Sequence, residues 1–202
     1  MIKIAAFIVP QDEIRKKILN LKKKVKKIYG EQPYLSHLPH CTLFTMYASN
    51  KILNEKKSIK NIRIKSSSPN YVFVKKTGLF AKDPITSGKT IYFKIKKNTF
   101  LSNLQVESLN LFSKFKVNKK IKFKLVWMNK NNKKYGYPFV KKKWIPHFTI
   151  TSLINVSDKN SFIKNFLRTK IKYKELVKKI YIYKINGNKH KYLWSINITK
   201  KK

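Results

Sequence analysis

The order of apolar and polar positions predicts a strand followed by a helix at the start of the chain. Residues 2–9 are mostly apolar and Pro10 follows them, a pattern typical of a buried strand. From Gln11 onward the apolar positions recur every three or four residues, on one face of a helix: Ile14, Ile18, Leu21, Val25 and Ile28. Acidic residues begin this segment and lysines dominate its end, which suits the helix dipole. We expect the helix to end at Gly30.

The rest of the chain mixes strands and helices without a regular alternation. Apolar runs and alternating positions predict strands at residues 40–47, 71–74, 90–95, 121–127, 147–153, 176–185 and 192–198. Helical spacing predicts a helix at residues 99–115 and a short one, capped by Ser157, that carries Phe162, Ile163, Phe166 and Leu167. Polar or glycine-containing stretches predict connections at residues 49–69, 78–88 and 129–143. This order predicts an α+β fold with largely antiparallel sheets.

Composition excludes several classes of protein. The chain has 202 residues, of which 42% are hydrophobic and 13% aromatic, too many for a disordered polybasic tail. Its single cysteine, Cys41, excludes an intrachain disulfide and a cysteine-based zinc site. The apolar runs are too short for a membrane span, and the first one ends at Pro10 without a secretory cleavage site. We therefore expect a folded cytoplasmic protein with no membrane partner.

The charge of the chain has two interpretations. It carries 48 lysines and arginines against 8 acidic residues, which gives a formal charge of +40. This excess is typical of a protein that binds a polyanion, nucleic acid first. However, only Arg15, Arg63 and Arg168 are arginines, so 48 − 3 leaves 45 lysines, and an A/T-rich genome produces such a bias by its codons alone. Bidentate phosphate recognition favours arginine, so the charge leaves both interpretations open.

Two segments of the chain repeat one pattern. Leu38-Pro39-His40-Cys41-Thr42-Leu43 and Ile145-Pro146-His147-Phe148-Thr149-Ile150 both run apolar, proline, histidine, apolar, threonine, apolar. We call His40–Leu43 tetrad 1 and His147–Ile150 tetrad 2. Because side chains alternate along a strand, each tetrad places its histidine and threonine on one face and its apolar residues on the other. The chain has 4 histidines in all, so two such matches are improbable by chance.

These paired tetrads resemble the signature of the 2H phosphoesterase superfamily, which includes the RNA 2′,3′-cyclic phosphodiesterases once called 2′-5′ RNA ligases. The resemblance implies two similar lobes of mainly antiparallel sheet with flanking helices, related by a pseudo-twofold axis around a central cleft. Residues 1–202 then form a single bilobal domain in which each lobe contributes one tetrad. One departure stands out: many relatives carry an arginine shortly after tetrad 2, where this chain has Thr151 and Ser152.

The residue types of the tetrads suit acid–base chemistry at a phosphate. Hydrolysis of a 2′,3′-cyclic phosphate needs a base to activate water and an acid to protonate the departing ribose oxygen, and an imidazole can serve as either near neutral pH. We therefore predict His40 and His147 as the catalytic residues, with their roles unassigned. Thr42 and Thr149 are predicted to hydrogen-bond the phosphate oxygens. The chemistry requires no metal and no cofactor, and the expected partner of this monomer is RNA or a nucleotide with a 2′,3′-cyclic phosphate. The resemblance implies a 2′-phosphate product.

A further predicted substrate contact is a loop in which aromatic and basic residues alternate. Tyr135, Tyr137, Lys141, Lys142 and Lys143 have the composition that single-stranded RNA binding uses. An exposed hairpin with one or two rings packed inward explains the same residues. Two other functions also remain open: a 2′-5′ oligonucleotide phosphodiesterase or RNA ligase-like enzyme, and a catalytically inactive RNA-binding protein on the same scaffold.

Several single residues are predicted to be structural or exposed. Residues 87–90 resemble the end of a nucleoside-triphosphate-binding loop, but Asp83 occupies the position where that pattern requires a glycine, which excludes this function. His37 and His190 are predicted to lie at the surface, with a position lining the cleft as the alternative for His37. Cys41 faces the core in the predicted strand. Trp144 is predicted to wedge between strands, with base stacking as the alternative.

Overall fold

A computed structural model describes residues 1–66, 69–157 and 160–200 of the chain. The helices of these ranges are α1 (Asp12–Tyr29), α2 (Lys51–Asn54), α3 (Lys56–Asn61), α4 (Thr99–Ser113), α5 (Val126–Tyr135) and α6 (Ser161–Arg168). The strands are β1 (Ile2–Ile8), β2 (Cys41–Ala48), β3 (Arg63–Ser66), β4 (Tyr71–Phe80), β5 (Lys89–Ile95), β6 (His147–Leu153), β7 (Tyr173–Leu176), β8 (Lys179–Asn186) and β9 (Lys189–Lys200).

The strands form two curled sheets, which confirms the predicted two-lobed α+β fold. The first sheet has the order β2-β1-β8-β9-β3, and the second has the order β6-β5-β4-β7. All neighbouring strands are antiparallel except β3 and β9, which pair in parallel. β2 and β6, the strands that carry the tetrads, each lie at one edge of their sheet.

The helices connect the two sheets through a shared core. α1 follows β1 of the first sheet but contacts β6 of the second, while α4 follows β5 of the second sheet but contacts β2 of the first. Phe44 of the first sheet and Phe93 and Phe148 of the second belong to one hydrophobic cluster, and all three are fully buried. Within the described ranges no helix has both the length and the apolar character that a membrane span requires.

The predicted helix at the start of the chain is confirmed, with one unexpected burial. α1 ends where Gly30 adopts a positive φ of 68° and donates its backbone N–H to the Lys26 carbonyl. Ile14 and Ile18 are buried as the apolar spacing predicts, whereas Ile28, at the end of the helix, is exposed. Lys22, which the pattern assigns to the polar face, is only 5% exposed.

Four of the sequence predictions for strands, connections and caps are wrong, in whole or in part. The predicted connection at residues 49–69 contains α2, α3 and β3 as far as it is described; Ser67 and Ser68 lie outside the described residues. The predicted strand at residues 121–127 is instead an irregular segment that leads into α5, and α5 occupies part of the predicted basic turn at residues 129–143. The cap of α6 is Asn160 rather than Ser157, because the Asn160 side chain accepts a hydrogen bond from the backbone N–H of Ile163.

The predicted loop at residues 78–88 is also partly strand, because β4 continues through Gly78 to Phe80. Gly78 lies opposite Tyr92 of β5, and a Cβ atom at Gly78 would meet the Tyr92 ring at 2.5 Å. The glycine is therefore required by the close approach of an aromatic ring and does not mark the end of the strand.

Candidate active site

Tetrad 1 contains a β-bulge at a defined position. In β2 the pairing with β1 passes from Ala6 opposite Phe44 to Phe7 opposite Thr42, so Leu43 is an extra residue. A bulge of this kind re-aims side chains and increases the local twist of the strand. Leu43 and Phe44 are consecutive buried residues, while Thr42 stays half-buried on the other face.

Tetrad 2 contains a bulge at the equivalent position. In β6 the pairing with β5 passes from Ile91 opposite Thr151 to Tyr92 opposite Thr149, so Ile150 is the extra residue. The bulged residue is therefore the fourth member of the tetrad in both lobes. The sequence repeat thus extends to a repeated strand geometry, with the histidine and threonine side chains on the same face in each case.

The same hydrogen bond orients both tetrad histidines. Nδ1 of His40 lies 2.5 Å from the carbonyl oxygen of Leu38, and Nδ1 of His147 lies 2.7 Å from the carbonyl oxygen of Ile145. Because a carbonyl oxygen can only accept, Nδ1 carries the proton in both rings. In a neutral ring this leaves Nε2 as the atom that can accept or transfer a proton. Each ring is thereby held in the tautomer that general acid–base chemistry at Nε2 needs.

Contacts between the lobes join the edges that carry the tetrads. The indole N–H of Trp144 donates to the Thr42 carbonyl at 2.9 Å, and the Gln105 side chain donates to the Leu43 carbonyl at 2.9 Å. The buried Cys41 thiol interacts with the backbone of His147, while burial raises the pKa of this thiol to about 12. β2 and β6 consequently contact each other, and the predictions for Cys41 as a core residue and Trp144 as a wedge are confirmed.

Thr151 and Ser152, which directly follow tetrad 2, serve a structural purpose. Thr151 and Ser152 are fully buried, and both donate hydrogen bonds to the Pro33 carbonyl, from Oγ1 at 2.9 Å and from the backbone N–H at 3.1 Å. These bonds pair the outer edge of β6 with the segment that follows α1. Positive charge near tetrad 2 must therefore come from other residues.

Other aromatic rings surround His40 closely. The Phe7 ring stacks on it with a centroid distance of 3.8 Å and an interplanar angle of 26°. His190 approaches His40 at 5.3 Å and His37 at 4.5 Å. The prediction that His37 and His190 lie at the surface is therefore wrong, since both are half-buried beside tetrad 1. The β8–β9 hairpin brings His190 to this place, which no local pattern around His190 indicates.

Lys22 fixes the segment that leads into tetrad 1. Its ammonium group donates to the carbonyl oxygens of Tyr34 and His37, both at 2.6 Å, and of Leu35 at 3.4 Å. Burial lowers the pKa of Lys22 to about 8. Lys22, which the sequence pattern places on the polar face of α1, thus fixes the backbone of His37, three residues before His40.

Two aromatic rings and a buried carboxylate surround His147. Tyr92 and Phe80 approach the His147 ring with centroid distances of 5.0 and 5.2 Å, and they stack on each other at 4.3 Å. Asp83 is 7% exposed and accepts hydrogen bonds from the backbone N–H of Ile85 and from the Thr90 hydroxyl, both at 2.8 Å. Asp83, whose position in the sequence excludes a triphosphate-binding loop, is therefore a buried acidic residue near tetrad 2.

The two histidines differ in how their surroundings affect the proton. Burial, together with the charges of His190, His37 and Lys22, lowers the pKa of His40 to about 3. Burial also lowers the pKa of His147, but the Asp83 carboxylate opposes this shift by stabilising the protonated ring. His147 therefore has a carboxylate nearby, whereas His40 has Lys22 and two further histidines nearby.

The predicted aromatic and basic loop is not one exposed unit. Tyr135 ends α5 and is half-buried, with the ammonium groups of Lys134 and Lys141 5.4 and 5.9 Å from its ring centroid. Tyr137 is 9% exposed and lies in the main hydrophobic cluster, so its ring packs inward as the alternative explanation predicts. Lys141, Lys142 and Lys143 form an exposed 3-10 turn. Among the described residues, no group of three histidine, cysteine or acidic side chains could hold a metal ion.

The fold of this chain resembles several solved structures, although no sequence comparison finds a match. No protein-family model and no curated protein matches the chain by sequence. Among solved structures, TT0787 of Thermus thermophilus matches with a TM-score of 0.63 at 14% identity, over 96% of this chain and 97% of that one. A structure described as a phosphoesterase matches with a TM-score of 0.55 at 12% identity, over 98% of both chains. E. coli LigT complexed with 3′-AMP matches with a TM-score of 0.56 at 11% identity, again over 98% of both chains.

These neighbours, which include a phosphoesterase and LigT, share the fold of this chain. The resemblance predicted from the two tetrads is therefore confirmed at the level of the fold, which this chain shares along nearly its whole length.

Proposed function

We propose that this protein is a phosphodiesterase that hydrolyses 2′,3′-cyclic phosphate ends of RNA or nucleotides by two-histidine acid–base catalysis. The observation that carries the proposal is the duplicated geometry of the tetrads. Each has a bulge after the threonine and a histidine whose Nδ1 is bonded to a carbonyl two residues before it. A purely structural histidine has no need of the same tautomer and the same neighbouring hydroxyl in both lobes.

The mechanism places the cyclic phosphate between the two Nε2 atoms. One imidazole takes a proton from the attacking water, and the other gives a proton to the departing ribose oxygen on the opposite side of phosphorus. The hydroxyls of Thr42 and Thr149 donate to the non-bridging oxygens, which gain negative charge in the transition state. The reaction consumes one water, breaks one P–O bond and leaves a phosphomonoester with the freed ribose hydroxyl.

The surroundings of the histidines favour one assignment of roles. His40 lies among groups that disfavour its protonated form, which suits the general base. The Asp83 carboxylate favours the protonated form of His147, which suits the general acid. If the product is the 2′-phosphate, as the family resemblance implies, His147 protonates the 3′ oxygen.

The neighbours support a nucleotide as the substrate class. E. coli LigT has been crystallised with 3′-AMP, with NADP+ and with phosphate. The histidine and the threonine of each tetrad suit the binding of a nucleotide phosphate in this chain. The large positive charge adds a long-range attraction for such anions.

The experiment is a substrate panel with two histidine variants. We expect the wild type to hydrolyse 2′,3′-cyclic mononucleotides and cyclic-ended RNA. His40→Ala and His147→Ala are each expected to lower kcat by roughly 1,000-fold or more, since each removes an acid or base that contributes on the order of 10² to 10⁴. Partial rescue by added imidazole separates lost chemistry from lost folding, which the melting temperature also monitors.

Three outcomes contradict this proposal. Full activity of either histidine variant rules out the two-histidine mechanism. Turnover of 2′-5′ oligoadenylate in place of cyclic phosphate identifies the alternative oligonucleotide phosphodiesterase. Salt-sensitive RNA binding that is unaffected by both substitutions, without turnover of any substrate, identifies an inactive RNA-binding protein.

A further inference from the structure

A groove next to tetrad 2 concentrates positive charge, and we propose that it binds the RNA chain that leads to the reacting end. This inference rests on the proposed function and adds an oligonucleotide preference to it. The groove has a volume of about 350 Å³. Its walls carry five lysines: Lys75, Lys76, Lys94, Lys96 and Lys97.

The groove is continuous with the catalytic strand. Lys94 of β5 lies directly opposite His147 of β6, and Lys76 of β4 lies directly opposite Lys94. Residues paired across strands project on the same face of a sheet, and neighbouring strands lie about 5 Å apart. A row of side chains therefore runs from His147 through Lys94 to Lys76, about 10 Å from the histidine at its far end.

The floor of the groove is apolar and is built from residues that also position His147. Ile145 and Pro146 line it, and the Ile145 carbonyl accepts the Nδ1 proton of His147. Ile145 is 43% exposed, whereas Trp144 beside it is buried and anchored to β2. An apolar floor between cations suits sugars and bases that lie between successive phosphates.

The lysines of the groove lack anionic partners in the part of the chain that the structure describes. The ion pairs found there, Lys26–Glu31 and Lys114–Glu55, lie elsewhere, and no acidic residue lines the groove. Lys97 is fixed by donating to backbone carbonyls, including that of Trp144 at 3.3 Å. The other four ammonium groups are exposed and repel one another, so a bound polyanion relieves their repulsion.

The length of the row favours a chain over a mononucleotide. A cyclic phosphate at Nε2 of His147 fits beside Lys94 but does not extend the about 10 Å to the Lys76 strand. A cyclic phosphate forms the 3′ end of an RNA, so only the nucleotides upstream of it can occupy the rest of the groove. The groove therefore assigns single-stranded RNA ends, rather than free cyclic nucleotides, as the preferred substrate.

The test compares two triple variants with the same change of charge. Lys75/Lys76/Lys96→Gln alters the groove at a distance from His147, and Lys16/Lys17/Lys23→Gln alters exposed positions of α1 as the control. The substrates are a 2′,3′-cyclic mononucleotide and a cyclic-ended single strand of about ten nucleotides, a length within the usual site sizes. We expect the groove variant to lower the oligonucleotide-to-mononucleotide ratio of kcat/KM about tenfold or more at low salt, while the control keeps the wild-type ratio.

Binding of RNA gives a second readout that does not depend on turnover. For a strand of the same length with a linear end phosphate, three lost phosphate contacts lower the slope of log Kd against log salt by about 2. If the wild type hydrolyses neither substrate but this slope falls only in the groove variant, the proposed function fails and the groove remains an RNA site. Equal Kd values and slopes in all three proteins, or equal losses in the two variants, overturn the groove proposal.

Discussion

The two lobes carry the same tetrad geometry in different surroundings. Both tetrads lie on edge strands, both are bulged after the threonine, and both histidines donate Nδ1–H to a carbonyl two residues earlier. Around His40, however, lie a stacked phenylalanine and further histidines. Around His147 lie a stacked aromatic pair, the Asp83 carboxylate and the lysine-lined groove.

The two lobes repeat the geometry of the tetrad but differ in the charged groups around its histidine. The strand, its bulge and the histidine hydrogen bond repeat because they depend on the local tetrad sequence. The charge around each histidine does not repeat, because it comes from elements that differ between the lobes: α1 supplies Lys22 to one, and the β4–β5 connection supplies Asp83 to the other. Variants of the threonines therefore test the repeated tetrad geometry, whereas variants of Gly78, Asp83 and Lys22 test the different surroundings.

After the histidine variants, the largest effect is expected from the threonines, which test the repeated tetrad geometry. Thr42→Val and Thr149→Val each remove one hydrogen-bond donor to the phosphate, so kcat falls on the order of 10²-fold with little change in stability. Steady-state kinetics with a cyclic nucleotide measure both variants. The matched control is Thr45→Val, a half-buried threonine on β2 outside the tetrad, with near wild-type kcat. A loss confined to one tetrad would show that only one lobe holds the phosphate.

A smaller effect is expected from Gly78, which tests the surroundings of His147 alone. Gly78→Ala places a Cβ about 2.5 Å from the Tyr92 ring, so this ring must move away from its place beside His147. We expect kcat/KM to fall about tenfold, the order of loss that a small misplacement near the reacting groups produces. The double variant Gly78→Ala with Tyr92→Leu removes the clash and should fold with a melting temperature closer to that of the wild type. Unchanged kinetics in Gly78→Ala would mean that the Tyr92 position does not matter.

The smallest effects are opposite shifts of the pH–rate profile, which test the different charges around the two histidines. Asp83→Asn removes the anion that raises the pKa of His147, so the alkaline limb, where the acid loses its proton, moves to lower pH. Lys22→Met removes a cation that lowers the pKa of His40, so the acidic limb, where the base gains a proton, moves to higher pH. Rate profiles from about pH 2 to 9 measure both limbs, because the acidic limb lies near the lowered pKa of His40.

The control for Lys22→Met is Lys23→Met, an exposed neighbour on α1. Lys22→Met also leaves the carbonyls of Tyr34 and His37 without a partner, which costs about 1–3 kcal/mol of stability, so melting temperatures accompany the kinetics. Shifts of the limbs in the reverse directions would exchange the proposed roles of His40 and His147.

The elements that the sequence predicts correctly are those with a long or repeated local pattern. α1, α4 and the two tetrad strands follow from apolar periodicity and from the paired motif. The predicted strand at residues 121–127 is wrong because alternation alone does not supply a neighbouring strand. Ile121 and Leu125 are 39% and 50% exposed, and no strand of the described residues pairs with this segment.

By itself the sequence determined the fold class and the four candidate catalytic residues, His40, Thr42, His147 and Thr149, since each tetrad is read within a few consecutive residues. Only the tertiary structure decided what surrounds them. The burial of Lys22, the position of His190 beside His40 and the row from His147 to Lys76 all depend on which distant segments become neighbours. Strand periodicity fixes the face on which a side chain projects, but only the order of strands in the sheet fixes what it meets there.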